Sequence, residues 1–518
     1  MPWKIPTGSM CPPNAVTCKN VSTTWWALLV IGLAMRCVAL NQPLIDAHLI
    51  RQCQTAAATQ SLHDTPGFAL SAEIPWIGDL QGRYILELPL YNYLVLGAHL
   101  LIPSLDASGK ITSILLWAAS FFLLQGIWRR LLSHDETFWA NLLFVISPLG
   151  VFYSQAIMPE MLVQLLAFGF LLAAIQYSEN PTATGWLVVA ATGLLGLLVK
   201  LPEVSHLYLI LAVLIFRLEG WRGMFRPRYL LAAAITAGAV KLWGNYTNSV
   251  NGTYLPEWTS ERVLAGFIGP LASRLTIRPW AMIVLYNAAF IAAGPAVLAM
   301  LHGLRTLVRR HRCDLLALWL ISLVPFYLIW FGNGGTAQSY YNLPSLAPLC
   351  ALFGIGMSAF WKWEGIVSWR KTAATTIAIA LMLCTTPVLF YLFKQDREIF
   401  AASNWIRDHT QPDDLTLIKM NHRWDMVDYY YNPVPAYYSH RHTFIVTRFT
   451  PEEIRKTALD RSRYAVVTLS QPARQGVSGA VNRFRGVTEM QPESFLWLTS
   501  AGFAPFKEGN GFIVYKKP

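Results

Sequence analysis

Long apolar stretches recur along this chain, and they constrain its fold more than any other feature. Runs such as 25–40, 111–128 and 373–393 each approach the ~20 residues that a helix needs to cross about 30 Å of hydrocarbon. Charged residues make up only 14% of the chain, against about 25% in a typical soluble protein. Its 20 tryptophans and 21 tyrosines are ring types that collect at the headgroup level of membranes. The sequence therefore predicts an α-helical polytopic membrane protein.

The number of crossings depends on one ambiguous stretch, 84–103. The clear stretches lie at approximately 24–41, 108–128, 137–154, 158–177, 183–199, 203–216, 229–245, 280–301, 315–331, 343–361 and 373–393. Lys and Arg concentrate in short loops near 129–130, 217–228, 305–312 and 362–371. All of these loops face the cytoplasm if 84–103 does not cross, and all face outward if it does. Because cytoplasmic loops are enriched in Lys and Arg, we predict about eleven transmembrane helices, with 84–103 lying at the outer surface.

The composition becomes less apolar after residue 393. We predict that residues 1–393 form the transmembrane domain, with a long first outer loop at about 42–107. Short β-rich runs at 464–469 and 512–516 indicate that residues 394–518 form a small α/β soluble domain. The topology places the N-terminus in the cytoplasm and this domain on the opposite side of the membrane. We expect the membrane to be a bacterial inner membrane, which would place the domain in the periplasm.

The net charge of +12 could indicate a nucleic-acid partner. However, the Lys and Arg residues cluster in loops between apolar runs, where they set the orientation of the helices. We therefore expect membrane lipids and no nucleic acid among the partners of this chain.

Polar segments gather on the outer face under this topology, at 45–55, 87–93, 153–160, 200–202 and 338–344. The first contains an acid and a base, the second reads Glu-Leu-Pro-Leu-Tyr, the third ends in an acid, the fourth is Lys-Leu-Pro, and the fifth contains Tyr-Tyr-Asn-Leu-Pro. In order and residue type these segments resemble the GT-C glycosyltransferases, in the branch of the protein O-mannosyltransferases and the lipid A aminoarabinose transferase. The resemblance covers nearly all of the membrane region.

The resemblance implies an inverting transfer of a single sugar from a polyprenyl-phosphate donor to an acceptor hydroxyl. A hydroxyl is a poor nucleophile at neutral pH, so a carboxylate must take its proton. Asp46 matches the family's general base, and Glu87 matches a second acid that orients the acceptor or a metal. Considered alone, Asp46 also fits a residue that caps the following helix, and Glu87 fits a surface glutamate.

The leaving phosphate needs cations or hydrogen-bond donors to hold its developing charge. By resemblance, the residues that would bind the donor phosphate and its lipid are Arg51, Arg83, Lys200, Arg274, Tyr340 and Tyr341. Position alone also fits a lysine that extends toward the interface and tyrosines of an ordinary interfacial belt. The resemblance does not choose among the arginines.

The cofactor is not determined by the sequence. If a divalent metal takes part, Asp46, Glu87 and Glu160 are the candidate ligands, although a glutamate such as Glu160 is also favoured at a helix start. The chain departs from the family at Leu88, where the aminoarabinose transferase has a basic residue, and at Ala47, where the protein O-mannosyltransferases have a second acid. We therefore expect it to belong to neither subfamily, and the donor sugar stays open.

The acceptor is equally open, since a lipid, a glycan or a protein can each supply a hydroxyl. A transporter or flippase for a lipid-linked saccharide is the alternative function. Transporters place polar residues near the bilayer midplane on broken helices, whereas the polar segments of this chain collect on one face. That difference favours the transferase.

Overall fold

A computed structural model describes residues 18–65, 67, 69–78, 82–253, 255, 259–309, 315–330, 338–362, 367–420, 433–445, 452–468, 496–509 and 512–518. Helices dominate the first part of the chain. They are α1 (Cys18–Cys37), α2 (Leu49–Asp64), α3 (Leu90–His99), α4 (Leu105–Leu131), α5 (His134–Ile146), α6 (Pro148–Tyr153), α7 (Glu160–Glu179), α8 (Ala183–Ser205), α9 (Leu207–Gly223), α10 (Pro227–Asn251), α11 (Ser260–Ile268), α12 (Ile277–Tyr286), α13 (Ala296–Arg309), α14 (Leu315–Ile329), α15 (Leu343–Lys362) and α16 (Val367–Leu392). A short antiparallel pair, β1 (Ala72–Glu73) and β2 (Arg83–Tyr84), lies between α2 and α3.

Over the described residues, each clear apolar stretch of the sequence lies largely on helix. Among the described residues, five helices are long and apolar enough to cross a membrane, or six if one bent pair counts as a single span. The ten residues of α3 extend only about 15 Å at 1.5 Å per residue, too short for a crossing, as expected for the ambiguous stretch. The total of about eleven transmembrane helices stays a prediction.

The apolar stretch predicted at 280–301 forms a bent pair of helices. The segments Ile277–Ile291 and Ala296–Arg309 meet at an angle of 108°. Between them Ala293 has a φ of 44° and Gly294 a φ of 84°, values that a right-handed helix does not allow. Pro295 follows directly, and it disfavours helical geometry in the residue before it.

Helix α15 packs against both α5 and α13 at close range, and glycines make the approach possible. A Cβ added at Gly303 would lie 1.9 Å from the carbonyl oxygen of Leu352, and one added at Gly356 would lie 1.9 Å from that of Ala299. One added at Gly354 would lie 2.2 Å from a backbone oxygen of α5. Small residues allow the backbones of membrane helices to approach one another in this way.

The last part of the chain forms the predicted small α/β unit. Its elements are α17 (Arg397–His409), β3 (Thr416–Met420), α18 (Val434–Ser439), β4 (Thr443–Ile445), α19 (Glu452–Arg461), β5 (Tyr464–Thr468), α20 (Leu496–Ser500), β6 (Ala504–Gly509) and β7 (Phe512–Lys516). The strand order is β4-β3-β5-β7-β6. Strands β4, β3 and β5 are parallel, while β7 is antiparallel to β5 and to β6.

The edge of this sheet binds the segment between α2 and α3. The amide of Gly78 donates to the carbonyl of Thr443 at 2.9 Å, and the amide of Ile445 donates to the carbonyl of Trp76 at 3.3 Å. An isolated antiparallel bridge joins Ile77 to Phe444. An exposed strand edge leaves unpaired backbone groups, and this segment covers those of β4. The C-terminal unit is therefore connected directly to the loop that contains Asp46.

Candidate active site

Asp46 lies in the turn between α1 and α2 and is buried, with 5% of its surface exposed. The Gln52 side-chain amide nitrogen donates to its Oδ1 at 2.5 Å, and the side-chain oxygen Oε1 of Gln52 accepts from the backbone amide of Ile157 at 3.2 Å. Burial raises the pKa of Asp46 from 3.8 to about 6, with Lys110 and the Gln52 hydrogen bond opposing the rise. A carboxyl with a pKa near neutrality is suited to accept a proton from a weakly acidic hydroxyl.

Lys110 supplies positive charge near Asp46 from the second turn of α4. Its ammonium donates to the carbonyls of Ala39 at 2.7 Å and Gln42 at 2.5 Å. It therefore closes the turn that follows α1 and acts on Asp46 through space.

Asp106, one helical turn before Lys110, connects this region to the C-terminal unit. The hydroxyls of Tyr437 and Tyr438 donate to its two oxygens at 2.6 and 2.8 Å. The Tyr438 oxygen also accepts from the amide of Leu44 at 2.5 Å. We refer to Asp46, Gln52, Lys110, Asp106, Tyr437 and Tyr438 as the Asp46 cluster.

Arg51 and Glu87 form an ion pair with each other. Arg51 is on α2, five residues after Asp46, and Glu87 precedes α3. The side chains are 16% and 17% exposed, so both are accessible from outside the protein. The sequence analysis named Arg51 as a candidate phosphate ligand, and in this structure its acidic partner is Glu87.

Lys200 lies at a break in α8. Its φ of −158° and ψ of 95° are not helical, and Pro202 follows two residues later; proline has no N–H to donate and clashes with the preceding turn of a helix. The ammonium lies 2.9 Å from a carboxylate oxygen of Glu160 at the start of α7, and 2.7 Å from one of Glu203. The lysine, predicted as a phosphate ligand, is thus held between two buried acids.

Two tyrosines complete this group, which we call the Lys200 cluster: Lys200, Glu160, Glu203, Tyr340 and Tyr341. The ammonium lies 4.4 Å from the Tyr340 ring centroid and 4.7 Å from that of Tyr341, within the range of a cation–π interaction. The Tyr340 ring also lies 5.5 Å from the ring of His48, two residues after Asp46. This aromatic contact connects the Lys200 cluster to the Asp46 loop.

The remaining predicted phosphate ligands, Arg83 and Arg274, bind protein groups. Arg83 donates to the side-chain oxygen of Ser71 at 2.8 Å. Arg274 donates to the carbonyls of Ile268 and Leu328, each at 2.8 Å. Their role in donor binding stays a prediction.

The residues named as possible metal ligands do not share a site. Asp46 accepts from Gln52, Glu87 pairs with Arg51, and Glu160 pairs with Lys200. Over the described part of the chain, no three His, Cys, Asp or Glu side chains come together in a way that could hold a metal ion. The mechanism proposed for this chain therefore gives these acids other roles.

Several members of the two clusters were not singled out from the sequence. Glu203 could have been found three residues after Lys200, and Asp106 four residues before Lys110, since such spacings bring side chains together on one helix face. Tyr437 and Tyr438 are more than 300 residues from Asp106, and no local pattern indicates their contact with it.

No family model matches the chain, and neither does any curated protein sequence. Several solved structures match the fold of the chain. ArnT from Cupriavidus metallidurans in the apo state matches with a TM-score of 0.63 at 12% identity, covering 95% of this chain and 98% of that chain. The same protein bound to undecaprenyl phosphate matches with a TM-score of 0.58.

Archaeal oligosaccharyltransferase AglB from Archaeoglobus fulgidus, in complex with an inhibitory peptide and a dolichol-phosphate, is also similar. It matches with a TM-score of 0.55 at 12% identity, covering 87% of this chain and 69% of that chain. At such low identity the comparison concerns the arrangement of the backbone. The chain has the fold of the GT-C membrane glycosyltransferases.

Proposed function

We propose that this chain is an inverting glycosyltransferase that moves a single sugar from a polyprenyl-phosphate donor to an acceptor hydroxyl on the outer face of the membrane. The observation that carries the proposal is Asp46, a buried carboxyl with a pKa of about 6 at the start of the first loop in a GT-C fold. ArnT, which has the same fold, has been solved with undecaprenyl phosphate. A lipid-linked donor explains why the enzyme is built from membrane helices.

In this mechanism Asp46 takes the proton of the acceptor hydroxyl as its oxygen attacks the anomeric carbon. The new carbon–oxygen bond forms on the face opposite the phosphate, so the configuration inverts. The bond between the anomeric carbon and the phosphate oxygen breaks, and the phosphate leaves with the electron pair. Cations near the phosphate stabilise that charge.

Arg51 is the cation best suited to this role among the predicted ones. Its guanidinium has five N–H donors, one acidic partner in Glu87, and partial exposure. Lys200 has two carboxylate partners, so its charge is already balanced. We therefore assign the main phosphate contact to Arg51 and a supporting contact to Lys200.

The decisive variant is Asp46→Asn, which keeps the size of the side chain and removes the base. General-base catalysis contributes about 10²–10⁴-fold, so the transfer rate of the purified protein should fall by that factor while binding of polyprenyl phosphate stays unchanged. Asp64→Asn, at the other end of α2 and largely exposed, is the matched control and should behave as wild type. A wild-type transfer rate in Asp46→Asn would exclude Asp46 as the base.

Two observations favour the transporter alternative enough to test it. The break at Lys200 and the 108° bend between Ile277–Ile291 and Ala296–Arg309 are discontinuities of the kind found in transporter helices. Reconstituted protein should therefore be assayed with fluorescent polyprenyl-phosphate sugars in vesicles. Movement of donor between leaflets without sugar transfer would support transport, and transfer without movement would support the glycosyltransferase.

The proposed orientation places the N-terminus in the cytoplasm and residues 394–518 outside, in a bacterial inner membrane. In a cysteine-free background, His440→Cys should react with a membrane-impermeant thiol reagent added from outside. Arg222→Cys should react only after the membrane is permeabilised. The reverse result would invert the topology and place Asp46 on the cytoplasmic face.

A further inference from the structure

A cavity opens beside the Lys200 cluster, between α7, the end of α8, the start of α9, α14 and the start of α15. Its space, part of which is open to solvent, amounts to about 430 Å³. Its apolar walls include Phe168 and Trp319, and its polar lining includes Glu160, Gln164 and Glu203. The mechanism above uses Glu160 and Glu203 only as partners of Lys200 and assigns no role to Gln164.

Several polar atoms of this cavity lack hydrogen-bond partners among the described residues. Both side-chain atoms of Gln164 are buried without one, and so are Oε2 of Glu160 and Oε2 of Glu203. Gln164 is 6% exposed, Glu160 3% and Glu203 7%. Leaving a buried polar group unsatisfied is unfavourable, and more so for a charged group. Groups placed together in this way therefore indicate a ligand that supplies the missing bonds.

The identity of the unpaired atoms defines the chemistry of that ligand. Two carboxylate oxygens need donors, while the Gln164 amide offers a donor and an acceptor. A phosphate at neutral pH offers acceptors and negative charge, which the carboxylates would repel. Neighbouring hydroxyls on a sugar ring can both donate and accept, and a ring also has apolar faces that can pack on Phe168 and Trp319.

We propose that this cavity binds the sugar ring of the donor, with Gln164 as the residue that determines which sugar is accepted. The inference rests on the proposed function. Lys200 connects the two parts of the site, because it contacts Glu160 and Glu203 on the cavity side and Tyr340 toward the Asp46 loop. The phosphate then lies outside the cavity, on the side of Arg51.

The test compares binding of a bare carrier with binding of sugar-bearing carriers. The probes are polyprenyl phosphate and polyprenyl phosphates carrying glucose, mannose or arabinose, titrated into the full-length protein in lipid nanodiscs. Gln164→Met keeps the length of the side chain and removes both polar atoms. The matched control is Gln176→Met, on the exposed face of the same helix.

Wild type should bind at least one sugar-bearing carrier more tightly than the bare carrier. Gln164→Met should reduce that preference by about tenfold or more, the effect of losing hydrogen bonds to a buried group, with the affinity for bare polyprenyl phosphate unchanged. Gln176→Met should keep the preference. Gln164→Asn, which retains the amide but draws it back by one methylene, should change which sugar is preferred.

Other results overturn the inference. An unchanged preference in Gln164→Met would mean that the cavity holds only water. Tighter binding of the bare carrier by that variant would mean that the cavity holds the lipid tail. If the variant changed only the acceptor concentration needed to half-saturate transfer, the cavity would be assigned to the acceptor. If wild type transfers sugar and the preference survives in Gln164→Met, only this inference fails; if wild type neither binds a carrier nor transfers, the proposed function fails with it.

Discussion

The Asp46 cluster and the Lys200 cluster contain the same charged groups, two acids and one lysine, but arrange them differently. Lys200 binds the carboxylates of Glu160 and Glu203 directly, at 2.9 and 2.7 Å. Lys110 donates to backbone carbonyls instead. The acids of the Asp46 cluster receive their hydrogen bonds from neutral donors, the Gln52 amide and the tyrosine hydroxyls.

The difference shows how one set of residue types supports two roles. An ammonium in direct contact favours the charged form of a carboxylate, whereas burial favours the neutral form. Asp46 accepts its side-chain hydrogen bond from a neutral amide, and burial raises its pKa from 3.8 to about 6. Because Lys200 binds both acids of its cluster, we expect that cluster to maintain structure, shape the cavity and supply the supporting phosphate contact, and Asp46 to take the proton.

The largest expected effect is a difference in the folding stability that is lost when each of the two lysines, Lys200 and Lys110, is replaced. Lys200→Met leaves two buried carboxylates without their cation, and breaking a buried ion pair costs about 3–5 kcal/mol. Lys110→Met removes two hydrogen bonds to carbonyls and should cost less, about 1–3 kcal/mol. Thermal unfolding of both variants in detergent measures the difference. An equal loss of stability would show that the two clusters are electrostatically equivalent.

A smaller effect tests the connection to the C-terminal unit. Tyr438→Phe removes the hydroxyl that donates to Asp106 and accepts from the Leu44 amide, so hydrogen exchange of that amide should accelerate by about tenfold or more. Tyr93→Phe is the control, because its hydroxyl makes two comparable bonds to the backbone of Ala69 elsewhere in the loop. Unchanged exchange at Leu44 in Tyr438→Phe would mean that the C-terminal unit does not hold the Asp46 loop.

The smallest effect concerns pH. If Asp46 is the base, kcat/KM should rise about tenfold per pH unit below its pKa of about 6 and level off above it. The folded protein binds this proton more tightly than the unfolded chain does, so stability contributed by Asp46 below pH 3.8 should be lost as the pH rises through about 6. If the rise of kcat/KM with pH persisted unchanged in Asp46→Asn, the titrating group would be a residue other than Asp46.

Much of the membrane region could be predicted from the sequence. Apolar stretches long enough to cross a bilayer must form helices there, because hydrocarbon offers no partner for an exposed backbone group. The order of polar segments on one face correctly indicated the GT-C fold, and it selected Asp46, Lys200 and Glu160, which the structure buries.

The partners of these residues were decided by tertiary structure. Pairings within one helix, such as Lys200 with Glu203, follow from spacing, but the unpaired atoms of Gln164 depend on how helices pack. The contacts of Asp106 with Tyr437 and Tyr438 join positions more than 300 residues apart. The sequence alone determined which residues carry charge and which stretches are apolar. Folding determined how deeply each carboxylate is buried and whether it meets an ammonium or a neutral donor, and burial together with those contacts sets its affinity for a proton.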